Sequence, residues 1–200
     1  IAQMIHDVFD LEEVELVEGE ADVAAALLEL PFDHIFFTGS PQVGKSVMGA
    51  AAKNLTSVTL ELGGKSPTIV DETANIKDAA GKICWAKWTN AGQTCVAPDY
   101  LFVHEKVVDK LIGELKESSN KMYAKKDNYT SIINDKHFNR LEETISDATS
   151  KGADVLLSGN RSKDELTIDP MIIGNVSEDM RIMQDEIFGP ILPIMTYKEL

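Results

Sequence analysis

The sequence predicts an α/β fold in which short strands alternate with helices along most of the chain. Short apolar runs that end at glycine or proline are typical of buried strands. Apolar residues that recur at every third or fourth position are typical of helices packed on a core. The two patterns alternate at intervals that suit crossover connections between parallel strands. With 44% hydrophobic and 26% charged residues among 200, the chain can bury a proper core.

The first part of the chain has the pattern of a doubly wound sheet. The predicted elements are a strand at 14–17, a helix at 22–30, a compact buried strand at 34–38, a helix after Gly39 and a strand at 57–62. The first helix is rich in alanine and ends before Pro31, which cannot continue it. The last strand is closed by two glycines. Strand, helix and strand together suit one crossover unit of a parallel sheet.

The second part of the chain, from residue 65, mixes strands with longer helices. The predicted elements are strand 68–70, helix 76–88, strand 101–104, helix 105–118, a polar stretch rich in Lys and Asn, helix 136–150, strand 155–157, an exposed turn at 158–164, strands at 172–173 and 191–195, and a helix start at Leu200. No internal repeat and no low-complexity linker interrupts them. We therefore expect a second α/β region after the doubly wound one.

Composition and charge exclude several classes of function. The net charge is −14, and ten acidic residues precede the first basic one, Lys45. Such a surface repels phosphate backbones, so no nucleic acid is expected as a partner. The two cysteines form no Cys-x-x-Cys pair and the four histidines are scattered, so neither a disulfide framework nor a metal site is predicted. There is no membrane-length apolar run and no signal-peptide pattern, which favours a cytoplasmic location.

The functional prediction depends first on Cys95. It lies in a turn after the small residues 91–94, between an apolar helical pattern and an apolar strand pattern. Such a turn can expose a thiol and stabilise its thiolate, as a nucleophile requires. The alternative is a buried structural cysteine, which is the commoner role. We assign that role to Cys84, because it shares an apolar helical face with Ala80 and Trp88.

A glycine-rich segment at residues 39–46 supports two interpretations. It reads GSPQVGKS, which matches the P-loop pattern G-x-x-x-x-G-K-S between a buried strand and a helix. In a nucleotide hydrolase its amides would cradle phosphates, Lys45 would reach the terminal phosphate and Ser46 would bind magnesium. A glycine-rich helix start also suits the pyrophosphate of a dinucleotide, because free amides and the helix dipole attract an anion. The segment alone leaves both interpretations open.

Glu61 is a second candidate for the chemistry. It stands at the end of a predicted strand in the segment ELGGKSP at 61–67, where two glycines let a ligand approach the backbone. A carboxylate in that place can act as a general base. The alternative is a solvated acidic side chain at a strand end. A nucleotide hydrolase has no use for a cysteine on a turn, so Cys95 favours the dinucleotide interpretation.

Four segments together resemble the aldehyde dehydrogenase superfamily. They are FTGS at 37–40 with Gly44, ELGGKSP at 61–67, GQTC at 92–95 and EIFGP at 186–190. Their order also matches, and the separation 95 − 61 = 34 is the family's interval between general base and nucleophile. The segment CVAPDY at 95–100 is most similar to the class 3 branch, which acts on fatty and aromatic aldehydes. We therefore interpret residues 39–46 as similar to a P-loop without being one.

The resemblance implies oxidation of an aldehyde to a carboxylic acid with NAD or NADP. Cys95 would attack the carbonyl carbon to form a thiohemiacetal, which loses hydride to the nicotinamide and becomes a thioester. Glu61 would activate the hydrolytic water, and the Cys95 N–H would contribute to the oxyanion hole. The residues that the resemblance places at the cofactor are Gly39, Ser40, Val43, Gly44, Leu62, Glu186 and Phe188. Glu186 would bind the nicotinamide ribose and Phe188 would pack near the nicotinamide.

The resemblance also implies that the chain is a central fragment. Residues 1–64 would close the dinucleotide-binding domain, and residues 65–200 would form most of the catalytic domain, incomplete at its C-terminus. Family members extend beyond both ends of the chain, so the isolated chain is expected to have little or no activity. The whole protein is expected to be a homo-oligomer with a small aldehyde as substrate. Neither the aldehyde nor the choice between NAD and NADP follows from the sequence.

Overall fold

The computed structural model describes residues 1–123 and 129–199 of the chain. Within them the chain folds into two units, Ile1–Leu62 and Gly63–Leu200. The predicted polar stretch between helices 105–118 and 136–150 includes residues 124–128, which lie outside the described residues, as does the predicted helix start at Leu200. None of the described helices is both long enough and apolar enough to cross a membrane.

The first unit contains two parallel strands and the helix that connects them. Its main elements are α1 (Ala2–Val8), α2 (Ala21–Leu27), β1 (His34–Gly39), α3 (Pro41–Ala51) and β2 (Ser57–Leu62). β1 pairs with β2 along its whole length, from His34 opposite Ser57 to Gly39 opposite Leu62. A parallel pair needs a crossover connection, which α3 supplies. The predicted crossover unit is confirmed.

Some predicted details of the first unit are wrong. Residues 14–17 have no regular structure, since no second strand pairs with them. α2 ends at Leu27 rather than at residue 30, because tight turns follow it and the residue before Pro31 is disfavoured in a helix. The residues of β1 alternate between partly buried and exposed, so β1 is not the buried strand that was predicted. Within this unit α3 packs on the two strands, and Phe36 is 66% exposed.

The second unit is a five-stranded sheet with helices on both faces. Its main elements are β3 (Pro67–Val70), α4 (Ile76–Trp88), β4 (Tyr100–His104), α5 (Val108–Tyr123), α6 (Asp135–Ser150), β5 (Asp154–Leu157), β6 (Arg161–Ser162), β7 (Thr167–Ile168), β8 (Met171–Gly174), α7 (Arg181–Gln184) and β9 (Ile191–Tyr197). The strand order is β3-β4-β9-β8-β5. The first four strands in that order are parallel, and β5 is antiparallel to β8. β6 and β7 form a separate antiparallel ribbon.

Alternate residues of the central strands face two hydrophobic clusters. Ile172 of β8 and Leu192 of β9 belong to the first cluster, together with residues of α4 and α5. Met171 and Ile173 of β8 and Ile191 of β9 belong to the second, together with residues of α6. Because both faces of the sheet are covered, β8 is a continuous apolar run and not an alternating one. The predicted α/β class is confirmed.

Polar side chains mark the starts of three of the helices that pack on the strands. Ser40 precedes α3, Asn75 precedes α4 and Asn134 precedes α6. Each side-chain oxygen accepts a hydrogen bond from the amide three residues later, at 3.3, 3.3 and 3.0 Å. These bonds satisfy amides that have no partner inside the helix. The helix starts are therefore determined locally by the sequence.

Two predictions in the second unit are wrong: both ends of the helix at 105–118 and the exposed turn at 158–164. α5 begins at Val108 and not at residue 105, because residues 105–107 form a turn in which the Val107 amide donates to the His104 carbonyl at 3.0 Å. It continues to Tyr123, beyond the predicted end at residue 118. The predicted exposed turn at 158–164 contains β6, which pairs with β7. Helix and strand ends depend on such local pairing and are the least predictable part of an element.

Three connecting segments meet at one edge of the second unit's sheet. Residues 63–66 lead into β3, residues 93–99 lead into β4 and residues 185–190 lead into β9. The three strands are neighbours and run in the same direction. Their amino-terminal ends therefore lie side by side, and the segments that precede them share that edge.

Candidate active site

The turn before β4 has a left-handed backbone over three consecutive residues. α4 ends at Trp88, and Asn90, Ala91 and Gly92 follow with φ of 54°, 52° and 72°. Residues other than glycine adopt this region at a conformational cost, so the surrounding structure must hold the turn. No other residue fits in place of Gly92, because a Cβ there would lie 2.2 Å from the Gly189 carbonyl oxygen. The turn is thus pressed against the segment that leads into β9.

Cys95 is exposed on this turn, while residues 97–99 are buried. Val96 is 78% exposed, but Ala97 is only 8% and Asp99 only 3% exposed. The Ala97 amide donates to the Thr94 carbonyl at 3.1 Å, which closes a tight turn around Cys95. The thiol is therefore accessible at the end of a well-anchored segment.

Cys84 has the opposite environment. It is fully buried in the first hydrophobic cluster, where its Sγ donates to the Leu115 carbonyl at 3.5 Å. Burial raises the pKa of Cys84 to about 12, since a thiolate loses its hydration there. The predicted core role of Cys84 is confirmed.

A buried ion pair joins the three segments at this edge. Lys65 in the segment before β3 pairs with Asp99 before β4, and the two side chains are 20% and 4% exposed. Lys65 Nζ also donates to the carbonyls of Ile182 and Asp185, at 3.0 and 2.9 Å. Asp99 Oδ1 accepts from the Ile187 amide at 2.9 Å. Two charged side chains thus tie the Cys95 turn to both neighbouring segments.

Two further side chains hold the segment at 185–190. Arg140 of α6 donates to the carbonyls of Glu186 and Ile187, at 3.3 and 2.6 Å. The indole of Trp88 donates to the Pro190 carbonyl at 2.9 Å. The carbonyls of Glu186 and Ile187 lie outside the helices and strands, so a side chain satisfies them instead. The Pro190 carbonyl also accepts from the Met171 amide of β8 at 3.0 Å. The segment is therefore held by donors from α4, α6 and the start of β3.

The Glu186 carboxylate is held close to two glycines. A Cβ on Gly63 would lie 1.7 Å from Glu186 Oε2, so a larger residue there would displace the carboxylate. Burial raises the pKa of Glu186, while a hydrogen bond from the Gly64 amide to its carboxylate acts in the opposite direction. Phe188 follows with φ of 44° and is partly buried. The side chain of Glu186 is thus fixed in orientation and still partly open to a ligand.

Lys87 is a fully buried cation close to these charges. It lies in the last turn of α4 and is 1% exposed. Burial lowers the pKa of Lys87 to about 8, while the charge of Asp99 acts against this shift and that of Lys65 adds to it. The charge of Lys87, close to the three segments at this edge, therefore changes with pH in the range around pH 8.

The remaining predicted site residues lie in the first unit. Gly39 ends β1, Ser40 caps α3, and Val43 is 48% exposed in the first turn of α3. Gly44 lies against β2, since a Cβ there would be 2.9 Å from Leu62 Cδ2. Glu61 is exposed in β2.

The P-loop alternative gains no support from residues 39–46. Only Ser40 separates β1 from α3, and Lys45 and Ser46 lie inside the helix. Pro41 has no amide hydrogen, and the amide of Val43 is already bound by Ser40 Oγ. A phosphate-binding loop needs several free amides in a concave segment, which this arrangement does not offer.

The predicted residues are thus divided between the two units. Cys95, Glu186 and Phe188 belong to segments of one sheet edge in the second unit, whereas Glu61 and the other cofactor candidates lie in the first. The pairing of Cys95 with Glu61 stays a prediction. No group of three His, Cys, Asp or Glu side chains in residues 1–123 and 129–199 could hold a metal ion.

Sequence reasoning missed the side chains that hold the site together. Lys65 and Asp99 stood inside two of the recognised segments but were not singled out, and Arg140 lies in a helix with no motif. The available signal was a charged residue placed among glycines or apolar residues, where a solvated position is not expected.

Comparison with known proteins gives one consistent result. The model of the "Aldehyde dehydrogenase family" matches residues 1–200. The chain is 50% identical to "Putative aldehyde dehydrogenase AldX" of Bacillus subtilis, over 100% of the chain and 46% of that protein. It is 40% identical to "Aldehyde dehydrogenase family 3 member B2" of Mus musculus, over 100% of the chain and 42% of that protein.

A solved structure agrees with these relatives. The chain matches the substrate-bound state of Staphylococcus aureus AldH with a TM-score of 0.92 and 47% identity, over 99% of the chain and 43% of that protein. The chain therefore spans less than half the length of each of these three proteins.

Proposed function

Because the chain belongs to the aldehyde dehydrogenase family, we propose that Cys95 is the nucleophile of an enzyme that oxidises an aldehyde to a carboxylic acid with NAD or NADP. The observation that carries the proposal is the exposed thiol of Cys95 on a turn held by hydrogen bonds. The segment that contains Glu186, whose carboxylate lies against Gly63, is at the same edge of the sheet. The relatives named for coniferyl aldehyde and for 4,4'-diaponeurosporen-aldehyde support an apolar, aromatic or unsaturated substrate.

The Cys95 thiolate adds to the carbonyl carbon of the aldehyde. A carbon–sulfur bond forms, and the carbonyl electrons move to oxygen, where the Cys95 amide helps to stabilise the charge. Loss of hydride from the carbon then restores the carbonyl as a thioester. Water attacks the thioester, and the carboxylic acid leaves while the thiol of Cys95 is regenerated.

Glu61 is the proposed general base for the hydrolytic water. It would take a proton as water attacks the thioester carbon. Its exposed position in β2, one residue before the strand ends, supports this role because the carboxylate is open to water. Replacement of Glu61 would then slow release of the acid more than attack by the thiol.

The proposed cofactor contacts fit the side chains that are present. Glu186 has a fixed and partly open carboxylate that can accept hydrogen bonds from ribose hydroxyls. Phe188, two residues later, is partly buried and would supply an aromatic ring near the nicotinamide. A bound nicotinamide would supply the acceptor for the hydride. The proposed contacts in the first unit, around the start of α3, are Gly39, Ser40, Val43, Gly44 and Leu62.

The proposal extends to the organisation of the whole protein. Residues 1–64 would end a dinucleotide-binding domain and residues 65–200 would form much of a catalytic domain; a division at Leu62 and Gly63 supports this boundary. We further propose a cytoplasmic homo-oligomer. Because the relatives are more than twice as long, this chain alone is expected to oxidise aldehydes poorly or not at all.

The test replaces Cys95 by Ala in the whole protein. Aldehyde-dependent formation of NADH or NADPH, measured with a panel of aldehydes and each nicotinamide, should fall by at least about 10⁴-fold. Cys84→Ala is the matched control and should retain activity. Full activity of the Cys95→Ala variant would contradict the proposal, and so would ATP hydrolysis that depends on Lys45.

A further inference from the structure

The side chain of Gln93 has no part in the chemistry above, yet its hydrogen bonds connect the turn that carries Cys95 with residues 131–133. Its Nε2 donates to the Asn90 carbonyl at 3.1 Å and to the Ser131 carbonyl at 3.0 Å. Its Oε1 accepts from the Ile133 amide at 3.0 Å. One carboxamide therefore uses both donors and one acceptor on three backbone groups.

Asn90 and Gln93 also bind each other through the left-handed turn. Asn90 Nδ2 donates to the Gln93 carbonyl at 3.0 Å, and the Gln93 amide donates to the Asn90 carbonyl at 3.1 Å. The left-handed residues at 90–92 lie at the centre of this set of bonds. Because such a backbone is costly for Asn and Ala, it persists only where neighbouring groups hold it.

The backbone at 131–133 offers a fixed point for this purpose. Ile132 is 1% exposed and belongs to the second hydrophobic cluster, as does Ala91 of the turn. Its amide donates to the Leu166 carbonyl at 2.7 Å. Gln93 thus connects the left-handed turn to residues 131–133, which the burial of Ile132 and its bond to Leu166 hold in place independently of Gln93.

We propose that Gln93 is a positioning residue for Cys95: its carboxamide fastens the left-handed turn to residues 131–133 and so sets the position of the thiol two residues later. This inference rests on the proposed role of Cys95 as nucleophile. A nucleophile must meet the carbonyl carbon within a narrow range of distance and angle, and a displacement of about 1 Å can lower the rate by roughly 100-fold.

The test replaces Gln93 by Leu in the whole protein, which keeps the size of the side chain and removes all three bonds. We expect kcat for aldehyde oxidation to fall roughly 100-fold, with a much smaller change in KM for the nicotinamide. The rate at which iodoacetamide alkylates Cys95, followed by mass spectrometry of the Cys95 peptide, should change as well.

A Glu variant gives a readout that a structural role alone would not produce. In Gln93→Glu a carboxylate can still accept from the Ile133 amide, but it cannot donate to the two carbonyls. Protonation restores one donor. Activity relative to the wild type should therefore be low at neutral pH and should rise as the pH is lowered, and a ratio that does not change with pH would count against the proposal.

Two controls separate positioning from general loss of stability. Gln3→Leu makes the same substitution at an exposed glutamine whose side chain donates to Asp7 at 2.8 Å, and it should leave kcat unchanged. Ile145→Val removes a methyl group from the second hydrophobic cluster and lowers stability, while it leaves the hydrogen-bonding groups of Asn90 and Gln93 in place. If Ile145→Val reduces kcat as much as Gln93→Leu, or if Gln93→Leu changes neither kcat nor the alkylation rate, the proposal is overturned.

If the wild-type protein oxidises no aldehyde, the proposed function fails, and the alkylation rates still test the position of the thiol.

Discussion

Helix α4 and the turn that follows it each carry one cysteine, and they hold it in opposite ways. α4 buries Cys84 completely among apolar side chains of the sheet and α5. The turn exposes Cys95, and its anchors are largely polar: the carboxamide of Gln93 and the carboxylate of Asp99. The distance along the chain is only 95 − 84 = 11 residues.

This difference shows what the exposure of a reactive thiol requires. Apolar burial fixes a side chain but disfavours its thiolate, as the raised pKa of Cys84 shows. An exposed thiol loses that source of rigidity, so the backbone around it must be held by other means. Here hydrogen bonds and the ion pair of Lys65 with Asp99 provide the constraint.

The largest effect on stability is expected when the polar anchoring of the turn is broken. Lys65→Met leaves the Asp99 carboxylate buried without its cation and releases the carbonyls of Ile182 and Asp185. Loss of one partner of a buried pair costs about 4 kcal/mol of unfolding free energy. Chemical denaturation of the whole protein measures this loss, and activity should fall with it because Lys65 no longer ties Asp99 and the Asp185 carbonyl to the segment before β3.

The matched control for this variant is an exposed ion pair in α4. Lys82 pairs with Asp78 at 2.7 Å, but their side chains are 77% and 57% exposed. Lys82→Met should therefore change stability little, because water and salt screen such a pair. If Lys65→Met and Lys82→Met lost the same free energy of unfolding, burial of the ion pair would not explain how the turn is held.

The fold was predictable where residues near in sequence decide the structure. The apolar runs at 101–104 and 191–195 indicate β4 and β9, and the caps at Asn75 and Asn134 begin their helices locally. The position of β9 between β4 and β8 was not predictable, because pairing depends on contacts between residues far apart.

The site was predictable only as a set of motifs. Cys95 and Glu186 were located by the resemblance of their segments, and their local surroundings follow from turn and glycine chemistry. The bonds from Lys65 and Arg140 were not predicted, because a side chain that donates to the carbonyl of a distant segment leaves no periodic pattern. A single sequence does not distinguish a buried lysine from a solvated one.

An intermediate effect, which depends on pH, is expected at Lys87, where helix and turn meet. Its pKa is about 8 in the folded chain against 10.5 ordinarily, so between these values the unfolded chain binds a proton that the folded chain does not. The free energy of unfolding therefore rises with pH between about 8 and 10.5. Below pH 8 the buried charge of Lys87 lowers this free energy by its full amount. Lys87→Met should therefore stabilise the protein at pH 7 by up to about 3 kcal/mol.

Unfolding free energies at pH 7 and pH 10.5 check this prediction. The advantage of the Lys87→Met variant should largely disappear at the higher pH, because the folded lysine is then neutral and the unfolded lysine has lost about half of its charge. Asp99, Lys65 and Glu186 are the charged groups that act on Lys87, and their charges also remain in the variant. A difference between variant and wild type that is the same at both pH values would show that burial does not lower the pKa of Lys87.

The smallest effect is expected at Cys84 itself. Cys84→Ala removes one buried sulfur and its weak bond to the Leu115 carbonyl, which should cost about 1 kcal/mol of unfolding free energy. Activity should stay near that of the wild type, because α4 still ends at Trp88 and the bonds of Gln93 and Asp99 are untouched. If Cys84→Ala instead lowered both activity and the alkylation rate of Cys95, the turn would depend on the packing of α4, and the two regions would not be held independently.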